Sequence, residues 1–457
     1  MYFPYSEHLV FLSADRRGRD VVSSSGHSPL DSDAPTATVA APGRVRQALV
    51  SAGRGIRGWV DETVRPNPHV RPVTRFDIGA VIGVWAIGRV LNIALLGAWY
   101  LISKIFGWGF GPTSQHVRDF TSFLTSWDAE RYGRIATVGY PPTLPTDISG
   151  RVVPNDWAFL PVFPTLERFV AHSTGWGWEL SGIALSVVFS GAATIVLFLL
   201  LRAVTSPKAA WWAVVLFSFG PLSFVFVLAY AESLFLFILF GALLLAVHRK
   251  YAWIGPLGVF AAFVRPGSLA LALALGILFL VRWFRRDVDP FPRRELVGLF
   301  CSGIAVAIAG LSWSWIADAV TGTPHAYILT ETAWWMPLVG DGAFVPLSPW
   351  FRFAGTYLGV FGIAIVLAFM VLFALLVWSK PVRRLGIVVA GFVFSYGLYL
   401  FGVFLPQQST FRLMMPMSPV LAHERLSSTP RWRAATLGGA IGLQVVATLL
   451  LWTIGYP

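Results

Sequence analysis

The chain has 457 residues, of which 56% are hydrophobic and only 13% charged, a balance too apolar for the surface of an ordinary water-soluble protein. Its formal net charge of +12 would suggest nucleic-acid binding in a soluble protein, but here the basic residues cluster beside apolar runs, so they read as an orientation signal in a membrane and no nucleic-acid partner is expected. The single cysteine, Cys301, permits neither an intramolecular disulfide nor a cysteine-based metal site.

The first part, 1–77, is rich in Ser, Pro, Gly and Arg and poor in large apolar residues after Leu12, so it reads as a disordered, basic cytoplasmic tail. The opening MYFPYSEHLVFL lacks a basic stretch ahead of its apolar residues and is not a convincing signal peptide. From 78 to 457 the chain reads as one all-α, multi-span membrane domain. A spanning helix takes about 20 apolar residues, and apolar runs lie near 79–104, 181–202, 209–229, 232–248, 251–264, 267–284, 297–318, 353–378, 385–404, 410–423 and 434–454. The short connections rich in Lys and Arg are Arg202 to Lys208, Arg249–Lys250, Arg282 to Arg294, Lys380 to Arg384 and Arg425 to Arg433. With about eleven spans and the tail inside, all of these face the cytoplasm. The remaining loops then face outward: 105–180, Tyr230–Glu232, Arg265–Gly267, 319–352 and Leu405–Thr410. Within 105–180, SWDAERYGRIATVGY reads as a short amphipathic interfacial helix, and AFLPVFPTLERFV as an interfacial or re-entrant segment too short and Pro-broken to span.

Most of the polar residues that could carry chemistry fall on these outer loops. Asp128 follows Trp127 and precedes an Arg- and Tyr-bearing helical turn; a carboxylate so placed can take a proton from an acceptor hydroxyl. The spacing Thr125-Ser126-Trp127-Asp128 equally fits a capping box, in which Asp128 only stabilises a helix start. Glu130 and Arg134, four apart, read as an exposed ion pair. Glu232 and Arg265 sit at outer span ends, where ionisable groups need a partner or a wet cavity; they could pair with each other, or Arg265 could hold a lipid phosphate. Gln407, Gln408, Ser409 and Arg412 crowd another outer turn, as groups for sugar hydroxyls or as a plain polar turn. His172, His325 and His423 lack metal-ligand spacing, and the sequence has no Gly-rich phosphate loop or nucleotide fingerprint. Neither a metal nor another cofactor is expected.

Taken in order, S-W-D-A-E-R-Y-G-R-I-A-T-V-G-Y, A-F-L-P-V-F-P, A-Y-A-E-S-L-F, V-R-P-G and Q-S-T-F-R resemble the PIG-V family of mannosyltransferases, in the GT-C superfamily, over roughly 120–415. The resemblance implies an inverting, metal-independent mannosyltransferase. Its donor would be a polyprenyl-phosphate sugar and its acceptor a glycolipid, such as a phosphatidylinositol mannoside, lipoglycan or GPI-like lipid, met on the non-cytoplasmic face. Asp128 then corresponds to the family's first-loop aspartate, as general base. Glu232 matches the acid of its E-S-L-F motif and Arg265 its later basic residue, with Trp127, Arg131, Tyr132, Gln407, Gln408, Ser409 and Arg412 as further substrate-binding candidates. The segment R-P-G-S departs from the family's R-S-x-G-like pattern, because Pro266 fixes the local backbone. Composition and the basic tail look like those of a high-GC, actinobacterial-type relative. Readings from other classes are transfer of a different polyprenyl-linked sugar, or transport of a lipid or sugar, though no inverted repeat is visible.

Overall fold

The computed structural model describes residues 42–64, 72–108 and 119–455. The chain divides into two compact units, Met1–Gly53 and Arg54–Pro457. The expected tail is corrected in part: Pro42–Thr63 forms helix α1, whereas 1–41 and 65–71 lie outside the described residues. From Arg54 onward, α1 is held by its last turns. Trp59 donates its indole N–H to the Val377 carbonyl at 3.4 Å, Glu62 pairs with Arg383 at 2.8 Å, and Asp61 pairs with Arg285.

Further helices follow in chain order: α2 (Arg75–Phe106), α3 (Phe120–Leu124), α4 (Asp128–Thr137), α5 (Val162–Thr174), α6 (Trp178–Val204), α7 (Pro207–Phe219), α8 (Glu232–Val247) and α9 (Ile254–Ala262). Then come α10 (Ser268–Phe284), α11 (Arg293–Thr321), α12 (Ala326–Val339), α13 (Ser348–Trp378), α14 (Lys380–Arg383), α15 (Gly386–Val403), α16 (Thr410–Leu413) and α17 (Pro430–Thr448). No strand occurs among the described residues. Among the described residues, six helices are long and apolar enough to cross a membrane: α2, α6, α11, α13, α15, and α17 with its continuation to Ile454. Glu232–Val247, Tyr251–Ala262 and Ser268–Phe284 are shorter apolar helices, and the expected runs 209–229 and 410–423 are each an α-helix followed by 3-10 helix. The chain is thus an α-helical membrane protein.

Local sequence explains the elements. Thr74 and Asp77 form a reciprocal capping box that starts α2, three residues inside the stretch read as tail. Ser206 caps α7 with Pro207 at its first position, and the left-handed Gly107 and Gly322 end α2 and α11.

The helices collect at two levels. At one, Arg249 meets Asp289, Arg384 meets Glu424, and Lys208 bonds the Ser428 carbonyl. At the other, the Val162 N–H bonds the Phe263 carbonyl, the Leu347 N–H bonds the Gly402 carbonyl, and Asn155 bonds Thr330. We refer to them as the basic end and the site end.

Between these levels the backbone is irregular where α7 stops at Phe219 and a 3-10 turn, Ser223–Val227, follows. Non-helical backbone at membrane depth persists only where protein satisfies its polar groups. Here α2 does so with two residues three apart, hence on one face. Arg89 donates to the Ser218 carbonyl at 3.0 Å, and Asn92 donates to the Ser223 carbonyl at 2.6 Å. Gln444 of α17 adds a bond to the Ser223 hydroxyl at 3.0 Å. This close approach needs Gly88, since a Cβ there would lie 2.7 Å from the Ser218 carbonyl oxygen.

Gly88→Ala therefore pushes on backbone rather than on a flexible side chain and should lower stability by about 1–3 kcal/mol. Gly83→Ala, on the same helix with nothing within 4 Å of its added Cβ, should hold or raise it. Thermal unfolding of both variants in detergent checks the contrast.

Candidate functional site

At the site end, four segments distant in sequence bring two acids and two arginines together. Asp128 is the first residue of α4. The residue before it, Trp127, holds φ at 63°, an unfavourable backbone state for a bulky side chain that costs about 1–3 kcal/mol. Asp128 does not cap its helix: Trp127 occupies the cap position and no side chain caps α4. Its backbone N–H donates instead to the Tyr230 hydroxyl at 3.4 Å, and that hydroxyl donates to the Ser126 carbonyl at 3.5 Å. The capping-box alternative is thereby overturned, and the carboxylate faces a charge.

That charge is Arg412, delivered by the short helix α16. Its Nη2 lies 2.5 Å from Asp128 Oδ2 and its Nη1 2.8 Å from Glu232 Oε1. Glu232, the first residue of α8, also pairs with Arg265. The guanidinium of Arg412 stands 5.1 Å over the ring of Tyr230. The Tyr230 ring in turn meets Trp452 edge-on at 5.7 Å, within the π-helical stretch Leu449–Ile454. Exposure separates the two acids: the Asp128 side chain is 24% exposed and that of Glu232 4%. Glu232 is the internal counter-charge, and Asp128 is the carboxylate an incoming molecule can reach.

The turn Val264–Gly267 places Arg265. Gly267 has φ of 134°, and a Cβ there would come within 3.2 Å of Phe235 and Tyr396, so the sequence R-P-G-S packs this corner with a residue that needs no side chain. Beside it a cavity of about 270 Å3 opens, lined by Gly267, Ser268, Trp313, Tyr327, Glu331 and Tyr399 among others. Its lining is largely apolar, and Glu331 is its only acidic residue. Burial in this wall, with the charge of Asp128 nearby, pushes the Glu331 carboxyl up to about 7.

The other predicted residues divide. Arg131 lies 3.2 Å from Asp156 and 5.4 Å from the ring centroid of Trp334, at the edge of the site. Tyr132 is buried and packed edge-on against Phe159 and Phe163, and its hydroxyl lies within electrostatic reach of Asp128, Glu232, Arg265 and Arg412. Arg134 does not pair with Glu130 as expected; its Nε is 3.7 Å from Asp156. Gln407, Gln408 and Ser409 give backbone carbonyls to the turn that starts α16, accepting from Thr410, Phe411 and Leu413 respectively. The ion pairs of the charged cluster run among Asp128, Glu232, Arg265 and Arg412. Arg168 on α5 holds α4 in place by donating to the carbonyls of Ala136 and Ile135, at 2.5 and 2.8 Å.

Sequence reasoning missed Tyr230, Asp156 and Glu331. The signal for Glu331 was an isolated acid in the aromatic stretch ILTETAWW. Tyr230, directly before the Ala231-Glu232 step, carries no signal beyond its neighbourhood. Among the described residues, no group of three or more His, Cys, Asp or Glu could hold a metal ion. The sequence matches no protein-family model and no curated protein sequence.

Removing one member of a buried ion pair leaves a charge uncompensated, at a cost of about 3–5 kcal/mol. Glu232→Ala should therefore sharply lower the unfolding temperature in detergent, since it strips both arginines of their shared partner. Glu130→Ala, on the exposed face of α4, should leave it nearly unchanged.

Proposed function

We propose that the chain is a GT-C-type glycosyltransferase, a relative of the PIG-V mannosyltransferases. It would move mannose from a polyprenyl-phosphate carrier to a hydroxyl of a glycolipid on the non-cytoplasmic membrane face, with inversion. The observation that carries this reading is the Asp128–Arg412–Glu232–Arg265 cluster, in which one reachable carboxylate is held by a guanidinium beside a largely apolar cavity.

The cluster is electrically balanced, with two acids and two arginines. An incoming lipid phosphodiester adds a negative charge and competes with Asp128 for Arg412, whose planar fork suits phosphate oxygens. Arg412 Nε makes no hydrogen bond among the described residues and can donate to that phosphate. As Arg412 turns to the donor, Asp128 is released as a base next to the bound sugar. It takes the proton of the acceptor hydroxyl, the hydroxyl oxygen attacks the anomeric carbon from the face opposite the phosphate, and the carbon–oxygen bond to the phosphate breaks. Arg412 and Arg265 stabilise the charge growing on the leaving phosphate. The first isoprene units of the carrier would lie in the cavity beside Ser268.

Asp128→Asn in purified enzyme should reduce turnover by a factor of roughly 10²–10⁴, the usual share of general acid–base catalysis, while donor binding persists. Glu130→Gln should lose little. Near-normal turnover of Asp128→Asn would remove the mechanism.

A second assignment of the base is favoured by one observation: Glu331 faces the cavity with no cation in the lining, whereas Asp128 is ion-paired. If Glu331 is the base, kcat/KM rises as pH passes upward through about 7, where its carboxyl loses its proton, and Glu331→Gln abolishes that rise. If Asp128 is the base, Glu331→Gln leaves the profile in place.

The proposed orientation has its own check. In a Cys301→Ser background, a cysteine at exposed Thr146 should react with an impermeant thiol reagent in intact cells, and one at exposed Asp287 should not.

A further inference from the structure

The basic end holds a second cavity, of about 230 Å3, unconnected with the chemistry above. Helices α8 and α10 run from the charged cluster at one end to this cavity at the other. The 16 residues of α8 alone separate them by about 24 Å. Four arginines converge on it from three connections: Arg249 after α8, Arg282 and Arg285 at the end of α10, and Arg384 before α15. Among the described residues, Asp289 is the only acid in its lining.

The arginines are not equally committed. Arg282 is locked, bonding the Tyr251 hydroxyl at 2.9 Å, the Pro290 carbonyl at 2.8 Å and the carboxylate of Glu295. Arg249 holds both oxygens of Asp289, at 2.9 and 3.1 Å, and keeps φ at 58°, a left-handed state that a non-glycine residue holds only under external restraint. Arg384 and Arg285 instead meet solvent-exposed partners. The Arg384–Glu424 side chains are 58% and 50% exposed; Arg285 is itself 26% exposed, and the Asp61 side chain opposite it is 58% exposed. Exposed pairs of this kind contribute about 0–1 kcal/mol, so both guanidiniums can turn to a better anion with little loss.

The wall between them points the same way. Leu385, whose N–H bonds the Val382 carbonyl, lines the cavity with Gly386, Ile387 and Val388, the first residues of α15, an 18-residue helix with no side-chain cap at its N-terminus. Free backbone N–H groups at a helix start, with the positive end of the helix dipole, suit a phosphate. Deeper lining residues are apolar, Leu278, Val281 and Val247 among them, and suit the glycerol and first methylenes of an acyl chain.

We propose that this cavity binds the phosphate of an anionic glycerophospholipid headgroup, with Arg384, Arg285 and the N-terminus of α15 as its ligands. A net negative headgroup is required, because the ammonium of a zwitterionic lipid would meet the same arginines. The site acts by joining the loops after α8, α10 and α14, and it stabilises the bundle at the end remote from the charged cluster.

The test uses the full chain in detergent, titrated with phosphatidylglycerol, phosphatidylcholine or glycerol 3-phosphate, reading thermal unfolding and lipid retention by native mass spectrometry. Phosphatidylglycerol should raise the unfolding temperature by several degrees and remain bound, and phosphatidylcholine should do neither. Arg384→Ala with Arg285→Ala should weaken phosphatidylglycerol retention tenfold or more, with an unfolding temperature in lipid-free detergent close to that of the parent. Arg425→Ala, an exposed arginine that does not line the cavity, should retain the lipid. Equal effects of the two lipids, or full retention in the double variant, would overturn the site. An equal shift with glycerol 3-phosphate would make it a site for a soluble phosphate and overturn the lipid assignment. Should the double variant unfold early, Arg384→Gln alone, which removes only the exposed charge, decides between the same outcomes.

Discussion

Everything at the site end leans on the guanidinium of Arg412. It spans Asp128 and Glu232, residues 284 and 180 positions away in the chain, in surroundings where an unmatched charge is expensive. A planar cation with two separated N–H edges is suited to this: one edge reaches the buried acid and the other the accessible one. Because the four charges cancel, the cluster balances itself. Because one of its acids is exposed, the same balance is sensitive to an added anion. A lysine would offer a single point of contact and lose the bridge.

Straight helices alone would not have assembled this geometry. Each functional side chain sits where a helix begins, ends or breaks: Asp128 at the start of α4, Glu232 at the start of α8, Arg265 in a Pro-Gly corner, Arg412 on a single helical turn followed by 3-10 helix. Such breaks release backbone groups that must bond elsewhere, and the chain provides for this with polar residues inside otherwise apolar helices. Arg89 and Asn92 do it at the Ser218 and Ser223 carbonyls, and Gln444 braces the same place through the Ser223 hydroxyl. The intramembrane polar residues thus fall into two kinds, those that repair the scaffold and those that form the site.

This distinction marks what the sequence could and could not reveal. Apolar run length announced the long helices, and basic clusters announced their common end, because both follow from burial and charge that local windows record. Glu232 and Arg265 were visible as ionisable groups at span ends, Arg412 as part of a polar turn between two spans, and Asp128 as a carboxylate in the first outer loop. What could not be read was their partnering. Pairing of Glu232 with Arg265 stood among the alternatives, but the role of Arg412 as the bridge depends on α16 lying against α8, a long-range contact without local signature. The same limit hid Tyr230, whose role comes from a hydroxyl meeting the backbone around Ser126 and Asp128, and it misassigned Arg134, whose partner Asp156 comes from another turn of the same loop. Spacing also suggested a capping box at Thr125 that the strained Trp127 precludes. Helix α1 was missed because its small and basic residues resemble those of an unfolded tail, and its restraint comes from Asp61 and Glu62 meeting arginines far along the chain.

The distance in sequence between Asp128 and Arg412 also orders the birth of the molecule. A ribosome delivers Asp128 long before Arg412 exists, and this carboxylate, partly exposed even in the folded chain, can wait in water, where its charge is harmless. Glu232 has no such refuge, and its earliest counter-ion is Arg265, only one hairpin later. The pair these two make can therefore shelter the buried acid during insertion, holding a place that Arg412 joins 180 residues after Glu232. The cluster closes only then, and a chain halted before residue 412 would carry a helical scaffold in which Asp128 and Glu232 are still unbridged.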